Sequence, residues 1–353
     1  MGFEPFDNCP AMDGYHCHTN SLAKIYYHYG CPLTEEMLLG IGSGIGFMYW
    51  HPKGAMPLVG GRGNVKNFFT AVGMRTGVRV EVKTTTSERK ARSSLIESLE
   101  QKKPVMLFGD IGLMPYFDLP EWYHFGSHTF VACGYDGKGS VLVSDIEQGA
   151  GGLKKGLYHN VSLDMLSLAR NSPYKPFPPK NSWLEFDFNG CRTPGMIDFY
   201  SSITQTASEM LDAPRSNLGV KGIRRAAEEI RRWTELFEGK ALRMNLFNLY
   251  LFIEANGTGG GCFRYMYARY LEEVYGVIAE NSLKKALLRA ASRIRESGRM
   301  FTELGLLFRK AGKPADIPER IERGSELFEK IASIEEETFE SLAGLIPRTG
   351  KDV

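Results

Sequence analysis

Residues 13–32 read DGYHCHTNSLAKIYYHYGCP, and this stretch decides how the first part of the chain is built. Leu22, Ile25, Tyr26 and Tyr29 recur at i, i+3, i+4 and i+7, a helical stripe that Gly30 and Pro32 stop. Cys17 then stands in the first turn, where unpaired N–H groups and the positive end of the macrodipole favour a thiolate. A free thiol titrates near ~8.5 and is mostly protonated at neutral pH, so a nucleophilic cysteine needs that help. The same N–H groups can donate to an oxyanion. The alternative is a small buried hydrophobe, the common fate of a free cysteine.

Working outward, Thr34 caps a second helix that runs into the glycine-rich residues 40–46. Short helices are expected over 64–70 and 93–101, and a buried strand over 104–108. Residues 129–134 and 141–144 flank Asp136-Gly137, a hairpin signal, and 183–188 alternate apolar and polar as a strand that closes the sheet. Helices first and sheet later make this part α+β. From residue 207 the texture changes. Ile223, Ala226, Ile230, Trp233 and Phe237 begin a series of amphipathic stripes continuing over 242–254, 263–277, 283–308 and 317–345. The expected domains are 1–205 and 206–353, with the boundary among 195–208 and the proline-rich 173–179 as a competing linker.

Composition narrows the function. With 353 residues, 43% hydrophobic and 24% charged, the chain can bury two ordinary cores. A net charge of +2 excludes a global field for nucleic acid or an anionic membrane. No apolar run approaches the ~18–20 residues of a membrane span. The first residues lack a secretory pattern, so a cytoplasmic protein with six free thiols is expected. His16, Cys17 and His18 are consecutive and cannot converge on one tetrahedral ion, and no C-x-x-C pair exists, so no metal is expected.

His128 enters the first hairpin strand and Asp145 ends the second. A hairpin loop of two or four residues sets them opposite or diagonal on one face; an odd loop separates them. The carboxylate would then fix the imidazole tautomer and leave the other ring nitrogen for the Cys17 thiol. The order Cys, His, Asp, with the cysteine on an early helix, is the papain-type arrangement. His124 is the second candidate base. The glycines at 40–46, Gly42 and Gly44 among them, suit either close approach of an extended acyl arm or a tight crossover. Asn20 and Tyr49 are further candidate substrate contacts. Gly257-Thr-Gly-Gly-Gly261 before Arg264 suits either an anion site or a helix cap. The basic run 284–299 reads as a solvated helix face, with docking of an acidic carrier protein as the second reading.

His16-Cys17-His-Thr-Asn-Ser-Leu22, the glycine run up to Phe47, Gly126-Ser-His128, Tyr135-Asp, Ser144-Asp145 and Gly257-Thr-Gly-Gly-Gly-Cys-Phe-Arg264-Tyr-Met-Tyr-Ala-Arg269 together resemble the butirosin biosynthesis protein H family. The resemblance covers nearly the whole chain. It implies a papain-like, peptidase C39-like catalytic domain followed by an all-α domain. It also implies a cysteine-dependent acyltransferase, since the namesake moves an aminoacyl group from an acyl carrier protein thioester onto an aminoglycoside amine. The donor would be a carrier-protein or CoA thioester, with phosphopantetheine or CoA as substrate and no cofactor, and the acceptor a small-molecule amine. A homo-oligomer is compatible with this. The glutamine that papain-like peptidases place before the cysteine is missing; Met12 and Asp13 occupy that region. A hydrolase with the same triad is the alternative, and a silent binding protein keeping the fold is the third reading.

Overall fold

The computed structural model describes residues 3–147, 152–310 and 314–344. The chain opens with α1 (Cys17–His28), and Gly30 ends it with a φ of 75°. α2 (Glu35–Ile41) follows, its Met37 amide donating to the Thr34 hydroxyl at 3.0 Å. Next come β1 (Ile45–Trp50), β2 (Leu58–Arg62), α3 (Phe68–Thr76), β3 (Arg79–Lys83), α4 (Glu88–Glu100) and β4 (Val105–Gly109). A largely irregular segment leads to β5 (His128–Tyr135), β6 (Ser140–Glu147), β7 (Lys155–Ser162), α5 (Leu163–Arg170) and β8 (Trp183–Asp187). The remainder is helical: α6 (Met196–Leu211), α7 (Gly219–Arg231), α8 (Trp233–Leu236), α9 (Gly239–Tyr250), α10 (Arg264–Val277), α11 (Asn281–Arg309) and α12 (Ile317–Ala343). The last residue of the expected stripe, Leu345, lies outside the described residues. No helix among the described residues is long and apolar enough to cross a membrane.

Two compact units interleave along the chain. The first is Met1–Leu38 with Val72–Thr193, and the second is Leu39–Ala71 with Pro194–Val353. Position 205 lies inside α6, so the chain passes between units at Thr193 instead, and residues 39–71 join the helical unit. Amphipathic texture cannot reveal such an excursion, because the β1–β2 hairpin it carries finds its partners only in space.

The first unit is built on a six-stranded sheet in the order β3-β8-β4-β5-β6-β7, antiparallel at every pair. Alternate residues Val105 and Leu107, Phe130 and Ala132, and Val141 and Val143 enter one core with Leu95 and Leu99 of α4 and Leu166 and Ala169 of α5. The strand at 183–187 sits between β3 and β4 rather than closing an edge. β3 and β7 lie at the two edges; β3 reads RVEVK, an alternation only five residues long with two valines, and β7 reads KGLYHNVS, with little apolar alternation. The expectation of six free thiols is corrected. Cys31, just past α1, and Cys191, just past β8, are joined in a disulfide across a separation of 160 residues, which no local spacing signals.

Candidate active site

Cys17 is the first residue of α1, and the N-cap residue His16 offers its helix no side-chain cap. A carboxylate from the next helix compensates. Glu35 accepts from the backbone N–H of Tyr15 at 2.8 Å and of His16 at 3.1 Å, and from the Thr19 hydroxyl at 2.5 Å. The turn entering the helix is therefore clamped from both sides. Asn20 donates its amide to the carbonyls of Met12 and Asp13 at 3.2 and 3.3 Å. Gly14 has no room for a side chain, since a Cβ there would lie 2.2 Å from both Asn20 Nδ2 and Glu35 Oε1.

His128 opens β5 and Asp145 lies near the end of β6. At the turn Tyr135 pairs with Val141 and Gly134 with Leu142, a register that would put His128 and Asp145 on opposite faces. Cys133 is an extra residue in β5, and beyond this bulge Ala132 pairs with Val143 and Val131 with Ser144. The bulge restores the parity, and the two side chains meet diagonally, with His128 Nε2 2.7 Å from Asp145 Oδ2. An ionised carboxylate can only accept, so Nε2 carries the proton and Nδ1 is left for the thiol. Tyr116 donates its hydroxyl to the same Oδ2 at 2.7 Å, and the Ile146 amide donates to Oδ1 at 2.7 Å. Phe117 stands edge-on to the His128 ring at 5.6 Å and fixes its plane.

Charge follows geometry. Burial pushes the Cys17 thiol up, but the hydrogen bond and charge of His128, the Thr129 backbone and the Lys154 charge outweigh it and leave the thiol below its ordinary value. Burial pushes His128 down, and the Asp145 charge and hydrogen bond, together with Cys17, overcome that and raise it to about 10. Burial likewise opposes ionisation of Asp145, yet His128, the Lys24 charge and the Tyr116 hydrogen bond hold it below its usual value. Both shifts favour a thiolate–imidazolium pair with a carboxylate behind it. It can add to an electrophilic carbonyl and pass a proton to or from a leaving or entering group.

Residues 16–146 match the family model for the N-terminal part of butirosin biosynthesis protein H, and residues 164–342 match a domain of unknown function, DUF4872. The chain belongs to the butirosin biosynthesis protein H family. A comparison with curated proteins gives no match.

Within this family member the remaining candidates have partners of their own. Asn20 is buried and spent on the turn before Cys17. Gly42, Gly44 and Tyr49 belong to the second unit. There the carbonyl of Gly42 accepts from Asn64 and that of Gly44 from Arg62, both at 2.9 Å. Tyr49 is a core residue whose hydroxyl accepts from Trp233 Nε1 at 3.2 Å. Arg264 is wholly buried in the same unit and paired with Glu335 at 2.7 and 2.8 Å, its remaining donors on the carbonyls of Gly46 and Cys262. The preceding glycines are packing contacts, for a Cβ on Gly261 would lie 2.8 Å from the Gly298 carbonyl. His124 pairs with buried Asp110 at 2.9 Å and stacks on Tyr174 at 3.4 Å, which makes it a staple of the segment before β5.

The sequence reading missed Glu35, Tyr116, Lys154 and Lys24. Only Lys24 left a local signal: it stands seven residues after Cys17, on the same helical face, inside an apolar stretch. It is fully buried, and its ammonium has no hydrogen-bond partner among the described residues.

Proposed function

We propose that this protein is a cysteine-dependent acyltransferase on a papain-like, peptidase C39-like scaffold, with Cys17 as nucleophile, His128 as proton carrier and Asp145 as its orienter. One observation carries the reading: His128 presents Nε2 to Asp145 at 2.7 Å while its bond and charge lower the thiol of Cys17 at a helix N-terminus. Membership of a family named for an antibiotic biosynthesis protein supports an enzyme of biosynthesis. The Cys17 thiolate adds to a thioester carbonyl, and the donor leaves as a thiolate with little acid assistance. Acylation removes the Cys17 charge, one of the groups that raise His128, so the imidazolium gives up its proton more readily, to the departing donor thiolate, and is left as the neutral imidazole. It can then deprotonate an amine that attacks the acyl-enzyme. A carrier-protein or CoA thioester is the donor and a small-molecule amine the acceptor. Water in place of the amine gives the hydrolase reading.

The test is intact-protein mass spectrometry after mixing wild type and Cys17→Ala with acyl-pantetheine and acyl-CoA thioesters. An acyl mass gain that is labile to hydroxylamine and missing from Cys17→Ala is expected. No adduct and no thioester turnover with any donor would sink the proposal. Amide rather than free acid on adding amines separates transfer from hydrolysis.

A further inference from the structure

Addition to a thioester places a full negative charge on the former carbonyl oxygen, and a cysteine site needs donors for it. The first turn of α1 supplies the backbone N–H of Cys17. A second, side-chain donor is not found just upstream. Asn20 is spent on the carbonyls of Met12 and Asp13, and the Asp13 carboxylate accepts from the Gly156 amide at 2.9 Å.

That last bond belongs to a small zipper. Gly14 and Lys154 form an antiparallel bridge in which each backbone N–H donates to the other's carbonyl, at 2.9 and 2.7 Å. Gly156 approaches the chain so closely that a Cβ would lie 2.2 Å from the Met12 carbonyl oxygen. The residues entering β7 are thus fixed against the turn that delivers the nucleophile. Lys154 is anchored through its backbone beside Gly14, three residues before Cys17. Its side chain is half-buried and forms no ion pair with a carboxylate of the described residues. Burial lowers the Lys154 ammonium from its ordinary value, and the charges of Cys17, Asp145 and Glu35 oppose that and favour the protonated form.

Resting on the acyltransferase reading, we infer that Lys154 is the second oxyanion donor, its ammonium filling the place for which residues 12 and 13 offer no side-chain donor. As Cys17 Sγ bonds to the carbonyl carbon, the carbonyl electron pair moves to oxygen, which the Lys154 ammonium and the Cys17 N–H hold. Collapse re-forms the C=O bond and expels the donor thiolate. Lys154 keeps its proton throughout. A cation there suits a thioester site because the charge leaving Cys17 Sγ arrives on an oxygen still near the Asp145 carboxylate, which an uncharged donor would do less to offset.

The experiment compares two reactions of the same sulfur in the full-length protein. Alkylation by iodoacetamide displaces iodide and creates no oxyanion, whereas acylation by an acetyl-pantetheine or aminoacyl-pantetheine thioester does. In Lys154→Met, acylation should fall by about a hundredfold, the usual cost of one oxyanion donor, while alkylation stays within about threefold because Lys154 is the least of the groups lowering Cys17. Lys154→Arg should recover most of the acylation rate. Acylation of Lys154→Met at the wild-type rate overturns the inference alone. Parallel loss of both reactions also overturns it, in favour of a structural lysine. Absence of any acyl-enzyme on wild type overturns the acyltransferase reading, and this inference with it.

Discussion

Tyr116 and His128 donate to one and the same oxygen of Asp145, each at 2.7 Å. Burial and the neighbouring carboxylate keep the Tyr116 phenol protonated far above neutral pH, so it remains a donor throughout the working range. Tyr116 also stacks on His159 with ring centroids 3.8 Å apart, which fixes its direction. Tyr116→Phe should keep the stacking and lose only the bond. The expected cost is about 1–3 kcal/mol of stability and up to about tenfold in acylation rate. Urea denaturation and single-turnover acylation measure the two, and an unchanged acylation rate would remove Tyr116 from the site.

The pH profile of Cys17 alkylation should report the ion pair directly. In wild type, reactivity should rise through an inflection below the ordinary thiol value of 9.0, with a second step near 10 where His128 loses its proton. His128→Ala removes the bond and charge that lower the thiol but leaves its burial. The lower inflection should therefore move above 9.0, with roughly a tenfold loss of thiolate at neutral pH for each unit of displacement. An inflection at the same pH in both proteins would show that His128 does not activate the thiol.

Glu35 predicts a stability change of definite sign. Burial raises its carboxyl from 4.5 to about 7, against the opposing bonds from Thr19, Tyr15 and His16. The folded value lies above the unfolded one, so its contribution is fully present below about 4.5 and is lost as pH rises through about 7. Between these limits the loss is at most roughly 1.4 kcal/mol per pH unit. Glu35→Gln cannot ionise and should lose less stability than wild type between pH 5 and pH 8, in urea titrations followed by circular dichroism. Equal losses in the two proteins would mean that the folded carboxyl is not raised.

Lys24 is a charge in the core without a hydrogen-bond partner among the described residues. Its burial lowers its own value, while its charge helps hold Asp145 ionised. Lys24→Met keeps the volume and removes the desolvation cost, so the protein should gain about 1–3 kcal/mol. Acylation should slow at the same time, because Asp145 then loses one of the charges that hold it ionised. A variant less stable than wild type would mean that the ammonium is satisfied in solution.

Much of the site was legible because its parts rest on local rules. A 3.6-residue stripe ending at Gly30 is enough to put Cys17 in the first turn of a helix, and Asp136-Gly137 is enough to join two strands carrying His128 and Asp145. The register was not legible. Loop length alone implies the wrong parity, and the single extra residue at Cys133 reverses it. A bulge costs one residue in one strand and leaves no mark in hydrophobic alternation, because β5 is buried on both faces.

By itself, then, the sequence determined the place of Cys17 at a helix start, the hairpin strands carrying His128 and Asp145, and the helical character of the second half, all of which depend on neighbours within a few residues. The tertiary structure decided what depends on distant ones. Glu35 reaches back to clamp the turn before Cys17, Tyr116 and Lys24 hold Asp145 ionised, and the chain leaves the first unit at Leu39 and returns at Val72. It also turned Arg264 from a candidate ligand group into half of a buried ion pair, because whether a guanidinium faces solvent or Glu335 is fixed only when α10 and α12 both pack on α11.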